Sequence, residues 1–458
     1  MREDWVEVKI EELISDNGVF SDGDWVESKD QDPNGEVRLI QLADIGDGKF
    51  IDKSNRFLTS EKSKELNCTI LKEKDILLAR MPKPLGRATL FPLIGKGKYV
   101  TVVDVAIIRP DHKWVDIKYL LYNVNSPFTR RNIEALQSGT TRKRISRKNL
   151  SKINFPLAPL PEQQAIVAKI EQLFSELDNG IANLKTAKDK LKIYRQAVLK
   201  KAFEGELTKE WRKKSTQENK DDLEGWVWHK LEKVSEFITK GTTPKKDKLN
   251  KKNAKIPFIK VYNLTHTGKI DFSINPTYID EDTHTKFLKR SIVKPDDILM
   301  NIVGPPLGKV SIVPHSFNEW NINQAIVRFR PFNVLKPKYL MHYLLCQLTI
   351  NDISKKAKAT AGQFNLTLEI CRNIEISIPP TEEQTQIVKE IETRLSVCDN
   401  AIKNINEALK KSEALRQSIL KKAFEGKLLS DAELQACRQE PDWEPAEKLL
   451  ERIKKEKK

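Results

Sequence analysis

The sequence predicts an α+β fold made of two similar halves, each a globular block followed by a long helix. The two helices are expected to pair as an antiparallel intramolecular coiled coil about a pseudo-two-fold axis. The first observation behind this is a repeat. The stretch from Glu162-Gln163 to Leu207 returns without a gap as Glu383-Gln384 to Leu428. Trp5-Val6 matches Trp226-Val227 at the same displacement, and Asp75-Ile76-Leu77 with Pro84-Leu85-Gly86 matches Asp297-Ile298-Leu299 with Pro306-Leu307-Gly308 one residue off. Self-similarity on this scale means two copies of one structural unit, and a chain of two similar halves suits a target that also has two halves.

The second observation is a heptad seam. Apolar residues at Ile170, Leu173, Leu177, Ile181, Leu184, Ala187, Leu191, Tyr194 and Val198 recur in steps of three and four. The second copy keeps the pattern through Ile387, Ile391, Leu395, Cys398, Ile402, Ile405, Leu409, Ser412, Leu415 and Ile419. Pro161 and Pro379-Pro380 are start signals, and Gly205 and Gly426 are C-cap signals. Each helix is expected to run about 40 residues, roughly 60 Å. One apolar stripe on so long a helix must be buried against a partner. Its own repeat is the nearest, and a coiled coil between different chains is the other arrangement the seam allows.

The third observation is the texture of the blocks. Short β-rich runs, Val37-Arg38-Leu39-Ile40, Ile76-Leu77-Leu78-Ala79 and Val102 to Ile108, alternate with Gly, Pro, Asn and Asp clusters, and helical patterns follow at 116–123 and 336–349. The resulting division is a first globular block at 1–155, a helical repeat and linker at 156–222, a second block at 223–376, and a helical repeat and tail at 377–458. The polar run Lys209 to Asp222 reads as the linker, and Pro441 to Pro445 leads into a charged terminal helix from Ala446 to Lys458.

Composition narrows the function. The 458 residues exceed one core, no run of about 20 apolar residues is present, and the expectation is a cytoplasmic protein. Five scattered cysteines, without a Cys-x-x-Cys pair, argue against a zinc site or a disulfide framework. A formal charge of +16 points to an anionic partner. Catalytic signatures are missing: Gly304 to Ser311 is one residue short of a phosphate loop, Pro295-Asp296 has no Glu-x-Lys downstream, and no Asn-Pro-Pro-aromatic tetrapeptide occurs. The six histidines form no i, i+4 metal pair. A non-catalytic chain with no cofactor of its own is expected.

Basic, polar loops are the positive signal. Thr140 and Thr141 beside Arg142, Lys143 and Arg144 suit phosphate oxygens and, through arginine, guanine edges. The counterpart in the second half exchanges cations for amides at Gln363 and Asn365. Arg80, Lys83 and Arg87 form a second basic turn, mirrored by Lys309, and Lys240, Thr242, Thr243, Lys245 and Lys246 form a third candidate. Present in both halves, these loops favour DNA over a scaffold without DNA contact or an enzyme with a diverged nuclease or methyltransferase site.

The run Gly139 to Ile145, leading to Pro159-Leu160-Pro161-Glu162-Gln163-Gln164 and then Lys200-Lys201-Ala202-Phe203-Glu204-Gly205, resembles the specificity subunit of type I restriction-modification systems. So do Phe20 to Val26, Arg38 to Ile45 and Glu444-Pro445-Ala446-Glu447. The likeness covers essentially the whole chain. It implies two target-recognition domains reading a bipartite double-stranded DNA site, separated by an antiparallel coiled coil acting as a ruler. It further implies two methyltransferase subunits along the helical regions and added motor-nuclease subunits. The partner subunits would use S-adenosylmethionine, ATP and Mg. The second half departs from the Gly-Thr-Thr-Arg pattern, as expected where two domains read different sequences.

Overall fold

The computed structural model describes residues 2–456 apart from Lys83, Leu93, Ile94, Lys96, Asp111, His112, Thr141, 216–222, Glu224, Lys251, Asn253, Pro305, Ala361 and Gly362. The chain divides into two units, one of Met1–Leu184 with Glu407–Lys458, the other of Lys185–Asn406. Each therefore takes one globular block, the first half of the long helix that follows that block, and the second half of the other long helix.

In the first unit the strands Val19–Asp22, Val105–Arg109, Ile76–Ala79 and Ala88–Leu90 form an antiparallel sheet in that order. Successive side chains of a strand point to opposite faces. Ile76 and Leu78 therefore share one core with Ala106 and Ile108, while Leu77 and Ala79 share another with Val105 and Ile107. With both faces covered, the strand is apolar throughout. Phe57–Leu58, Val37–Ile40 and Lys98–Thr101 make a second sheet, its last two strands parallel. Val6–Lys9 pairs antiparallel with Asn154–Leu157, tying the start of the block to its end. The expected strand from Val102 begins instead at Val105, because the chain turns at Val103-Asp104.

The second unit repeats the plan. Ser235–Lys240, Ile326–Pro331, Ile298–Asn301 and Val310–Ile312 form the four-stranded sheet, Ile256–Ile259 runs parallel to Trp320–Ile322, and Val227–Lys230 closes the block against Glu375–Ile378. The same side-chain devices hold both copies. Arg109 clamps Asp75 through Nε at 2.6 Å and a second guanidinium nitrogen at 2.7 Å, and Arg330 clamps Asp297 at 2.7 Å on both arms. The Trp5 indole donates to Glu162 at 2.8 Å, and the Trp226 indole to Glu383 at 3.0 Å. Gln163 and Gln384 each accept a backbone N–H, of Asp116 and Lys336, and donate to a backbone carbonyl before the helix, of Ala158 and Pro379. The repeated Glu-Gln pair thus locks each helix start onto its own block.

The long helices are Leu160–Phe203 and Thr381–Phe424, 44 residues each. Both end at a glycine in the left-handed region, Gly205 at φ 76° and Gly426 at φ 73°, where a side chain would also collide with Leu223 or Arg2. They pack antiparallel inside each unit. Ile166 and Ile170 meet Ile419, Ala423 and Phe424 in the first, and Val198 and Ala202 share a core with Ile387, Ile391 and Leu395 in the second. The seam departs in places from the expected register, leaving Ala187, Tyr194 and Leu415 exposed. Arg195 and Arg416 take inward positions beside the last two, because their guanidinium groups reach Asp399 and Asp178 on the facing helix.

Three further expectations are adjusted. The helical pattern at 336–349 is two helices, Pro337–Leu345 and Gln347–Lys356, broken where Cys346 turns extended. The first part of the expected linker is ordered: Lys209–Ser215 is helical and Arg212 lies buried against Glu383, while residues 216–222 fall outside the described residues. The terminal helix Ala446–Glu456 is not simply a charged tail, since Ala446, Leu449, Leu450 and Ile453 complete the core of the first unit beside Val8 and Ile10. No helix of the described residues is long and apolar enough to cross a membrane, and the five cysteines are free, four of them buried.

Candidate nucleic-acid interface

The basic loop of the first unit is a tight hairpin. Ser138 and Arg144 exchange both backbone hydrogen bonds at 2.8 Å, and Gly139 sits at φ 97° where a Cβ would meet the Arg142 carbonyl at 2.4 Å. Thr140, Arg142, Lys143 and Arg144 are exposed on it; Thr141 lies outside the described residues. The corresponding place in the second unit is also a hairpin, Lys358–Thr360 with Gln363–Asn365, extended by Val303–Gly304. The two hairpins leave the scaffold at equivalent points: Ile145 N–H bonds the Arg80 carbonyl at 3.1 Å, and Leu366 N–H bonds the Ile302 carbonyl at 2.9 Å. Asn365 is half-buried there.

The second basic turn is placed differently from the sequence expectation. Arg80 is only 3% exposed, with Nε donating to the Ile145 carbonyl at 2.9 Å, another nitrogen donating to the Val103 carbonyl at 3.0 Å, and an ion pair to Asp22. Arg87 is buried as well and donates to the carbonyls of Ile45, Met81, Pro84 and Leu42 at 2.6–3.2 Å. Burial lowers the pKa of both guanidinium groups, with Asp22 opposing the shift at Arg80. Neither is a free surface cation, and both brace the loops around them. Lys83 lies outside the described residues. Lys309 is half-buried, its ammonium 3.4 Å from the Val261 carbonyl.

The third cluster is exposed. Lys240 ends its strand, and Thr242, Thr243, Lys245 and Lys246 follow on the surface, Thr243 bonded to Gln324. Chain reversal there depends on Gly241, whose Cβ would lie 2.3 Å from the carbonyls of Ile322 and Asn323.

Sequence reading missed the equivalent surface in the first unit. An open cleft of about 420 Å³ lies between residues 24–27, 41–43 and 102–104. Trp25 stands on its rim, 68% exposed. The available signal was an aromatic residue directly after the Asp22-Gly23-Asp24 turn. Burial pushes the Asp24 carboxyl up to about 6, although it accepts the Thr69 N–H at 3.1 Å. Ionising this carboxyl therefore opposes folding: its stabilising contribution is fully present below about pH 4 and is lost as pH rises through the folded value. Asp24→Asn, which can still accept from Thr69, should melt close to the wild type at pH 4 and a few degrees above it by pH 7.5. A gap that does not widen with pH in a thermal-melt series would contradict this.

Comparison with known proteins follows the same lines. The profile of the type I restriction modification DNA specificity domain matches residues 2–186 and again residues 223–411. The chain is 31% identical over 339 residues to the type I restriction enzyme EcoBI specificity subunit of Escherichia coli, covering 71% of this chain and 69% of that one. It is 26% identical over 359 residues to the EcoKI specificity subunit of Escherichia coli strain K12, covering 77% and 74%. Among solved structures, a chain from work on complex assembly and conformational transition of the type I R-M system matches with a TM-score of 0.68 at 20% identity, over 93% of this chain and 99% of that one. The HsdS subunit from Thermoanaerobacter tengcongensis matches with 0.53 at 19% identity, over 93% and 98%.

A duplicated α+β scaffold with different loops at matching positions fits the DNA specificity domain whose profile matches the chain twice. The chain belongs to the family of specificity subunits of type I restriction-modification systems. It is a DNA-recognition component rather than one that makes or breaks bonds.

Proposed function

We propose that each unit reads one half of a bipartite double-stranded DNA target, with residues 1–155 and 223–376 as the two target-recognition domains and the helical segments 156–222 and 377–458 serving assembly. Two methyltransferase subunits, and motor-nuclease subunits in the restriction complex, would be the protein partners. S-adenosylmethionine, ATP and Mg would belong to those partners, in the cytoplasm. The observation that carries this reading is the contrast between matched scaffolds and unmatched loops: hairpin 138–144 holds three cations, whereas its counterpart holds Gln363 and Asn365. Exposed apolar side chains on the long helices, Ile193 at 70% and Val397 at 67%, support docking of other subunits there.

In this reading Thr140, Thr141, Arg142, Lys143 and Arg144 contact DNA in the first unit. Lys240, Thr242, Thr243, Lys245, Lys246, Gln363 and Asn365 do so in the second. Arg80, Arg87 and Lys309 support the loops. Changing Arg142, Lys143 and Arg144 together to alanine should weaken DNA binding by the assembled complex. The slope of log affinity against log salt should fall by roughly one unit for each phosphate that is no longer neutralised. An unchanged affinity and slope in a salt titration would remove this hairpin from the interface.

A further inference from the structure

The backbone that frames the cleft beside Trp25 recurs in the second unit, and hydrogen bonds fix the correspondence. Gly23 N–H bonds the Val105 carbonyl at 2.8 Å and Gly241 N–H bonds the Ile326 carbonyl at 3.0 Å. Val102 N–H meets the Ile40 carbonyl at 3.2 Å, and Asn323 N–H meets the Ile259 carbonyl at 3.1 Å. Arg80 N–H and Ile302 N–H bond the carbonyls of Asp104 and Ala325 at 2.8 and 2.9 Å. These pairs align Asp24 with Thr242, Trp25 with Thr243, Glu27 with Lys245, Gln41 with Lys260, Val103 with Gln324 and Asp104 with Ala325.

One backbone thus presents opposite chemistry in the two units. In the first, Asp24, Trp25, Glu27, Gln41 and Asp104 line the cleft, the Asp24 carboxyl holding the Thr69 N–H and the Glu27 carboxylate paired with Lys29. In the second, the same positions offer Thr242, Thr243, Lys245, Lys260 and Gln324. Arg80 links the first cleft to the basic hairpin, holding Asp22 at the entry to the cleft loop, the Val103 carbonyl in its wall and the Ile145 carbonyl at the hairpin exit.

We propose, resting on the DNA-recognition reading above, that this cleft and the matching surface of the second unit read bases. The first takes the exocyclic amino edge of a cytosine or adenine, and the second takes the major-groove edge of a purine. Carboxylates repel phosphate, so an acidic cleft can face a duplex only over base edges, where cytosine N4 and adenine N6 are the donors that carboxylates accept. The adjacent cations at 142–144 meet the backbone that the cleft avoids. Trp25 leaves a large apolar ring in water, which a base edge or thymine methyl in the groove would cover. In the second unit lysine donors match guanine O6 and N7, and Gln324, whose amide oxygen accepts the Thr243 hydroxyl, keeps its NH2 group to donate to a purine N7.

The test uses the complex of the full chain with its methyltransferase subunits, acting on DNA whose two half-sites are randomised, with methylated products sequenced. Trp25→Ala and Asp104→Asn should lower discrimination roughly tenfold at one or two positions of one half-site and leave the other half unchanged. Lys260→Gln and Gln324→Ala should do the reverse. Should Trp25→Ala melt below the assay temperature, Trp25→Phe and Asp104→Asn carry the test. Base preferences that stay as in the wild type overturn the proposal, as does weakened subunit assembly with preferences intact, which would make the cleft a protein-docking site. A wild-type complex without any sequence preference would instead overturn the recognition reading, and this inference with it.

Discussion

Exchange of the second globular block for that of a related specificity subunit should replace one half of the methylated motif entirely and leave the other half unchanged. The expectation follows from how each block is closed. Val227–Lys230 pairs with Glu375–Ile378, so the block's first strand and last strand meet, and an exchange must run past Ile378 to keep that ladder whole. Residues 225–380 therefore make the natural cassette. Trp226 must still donate to Glu383, and Tyr339 and Tyr343 must still pack edge-to-face with Phe203, at ring distances of 5.3 and 5.1 Å. A donor block that keeps the tryptophan and both tyrosines retains these anchors. Sequencing of methylated sites in cells carrying the hybrid gives the result directly. A change in both halves of the motif would show that the blocks do not read DNA independently.

The second large effect is expected at Arg80. Its guanidinium is charged, buried and bonded to two carbonyls and a carboxylate drawn from three different segments. Arg80→Ala removes all three interactions and leaves Asp22 without its counter-ion. Because the Asp22 side chain is about one third exposed, the loss falls below that of a fully buried pair, on the order of 2–4 kcal/mol. At about 2–4 °C per kcal/mol for a unit of this size, the melting transition should fall by roughly 10 °C. The same variant should weaken recognition of one half-site more than the other, because Arg80 sets the ends of both the cleft loop and the basic hairpin. Scanning calorimetry reads the first effect and half-site methylation the second. A melting temperature within about 2 °C of the wild type would show that the surrounding strands hold these loops without it.

The repeat itself carries a signal that Arg80 is interior. Asp75-Ile76-Leu77 and Asp297-Ile298-Leu299 align so that Arg80 falls opposite Ile302, and a position that accepts isoleucine in one copy is a poor candidate for a solvated cation in the other. Reading the Arg80, Lys83 and Arg87 turn by charge alone overlooks this. Charge states what a side chain can bind; burial decides whether its partner is DNA or the protein's own carbonyls. Arg195 and Arg416 carry the same lesson on the long helices, where two arginines occupy seam positions that the heptad pattern assigned to Tyr194 and Leu415. Guanidinium stems are apolar enough to pack in a seam when a carboxylate across it receives the head group.

The sequence by itself determined the duplication, the α+β class, the two long helices with their glycine ends, and the family. These rest on local or periodic signals: the heptad step, the left-handed caps, the β-rich runs and the repeated Glu-Gln pair. Only the tertiary structure decided which basic residues are free. It also showed that each unit combines the front of one long helix with the back of the other, and that residues 24–27, 41–43 and 102–104 converge on one cleft. The physical reason is range. Helix periodicity and capping act within a few residues, whereas the partner of a buried guanidinium and the walls of a cleft are set by strand pairings between positions far apart in the chain, as Val37–Ile40 joins Lys98–Thr101.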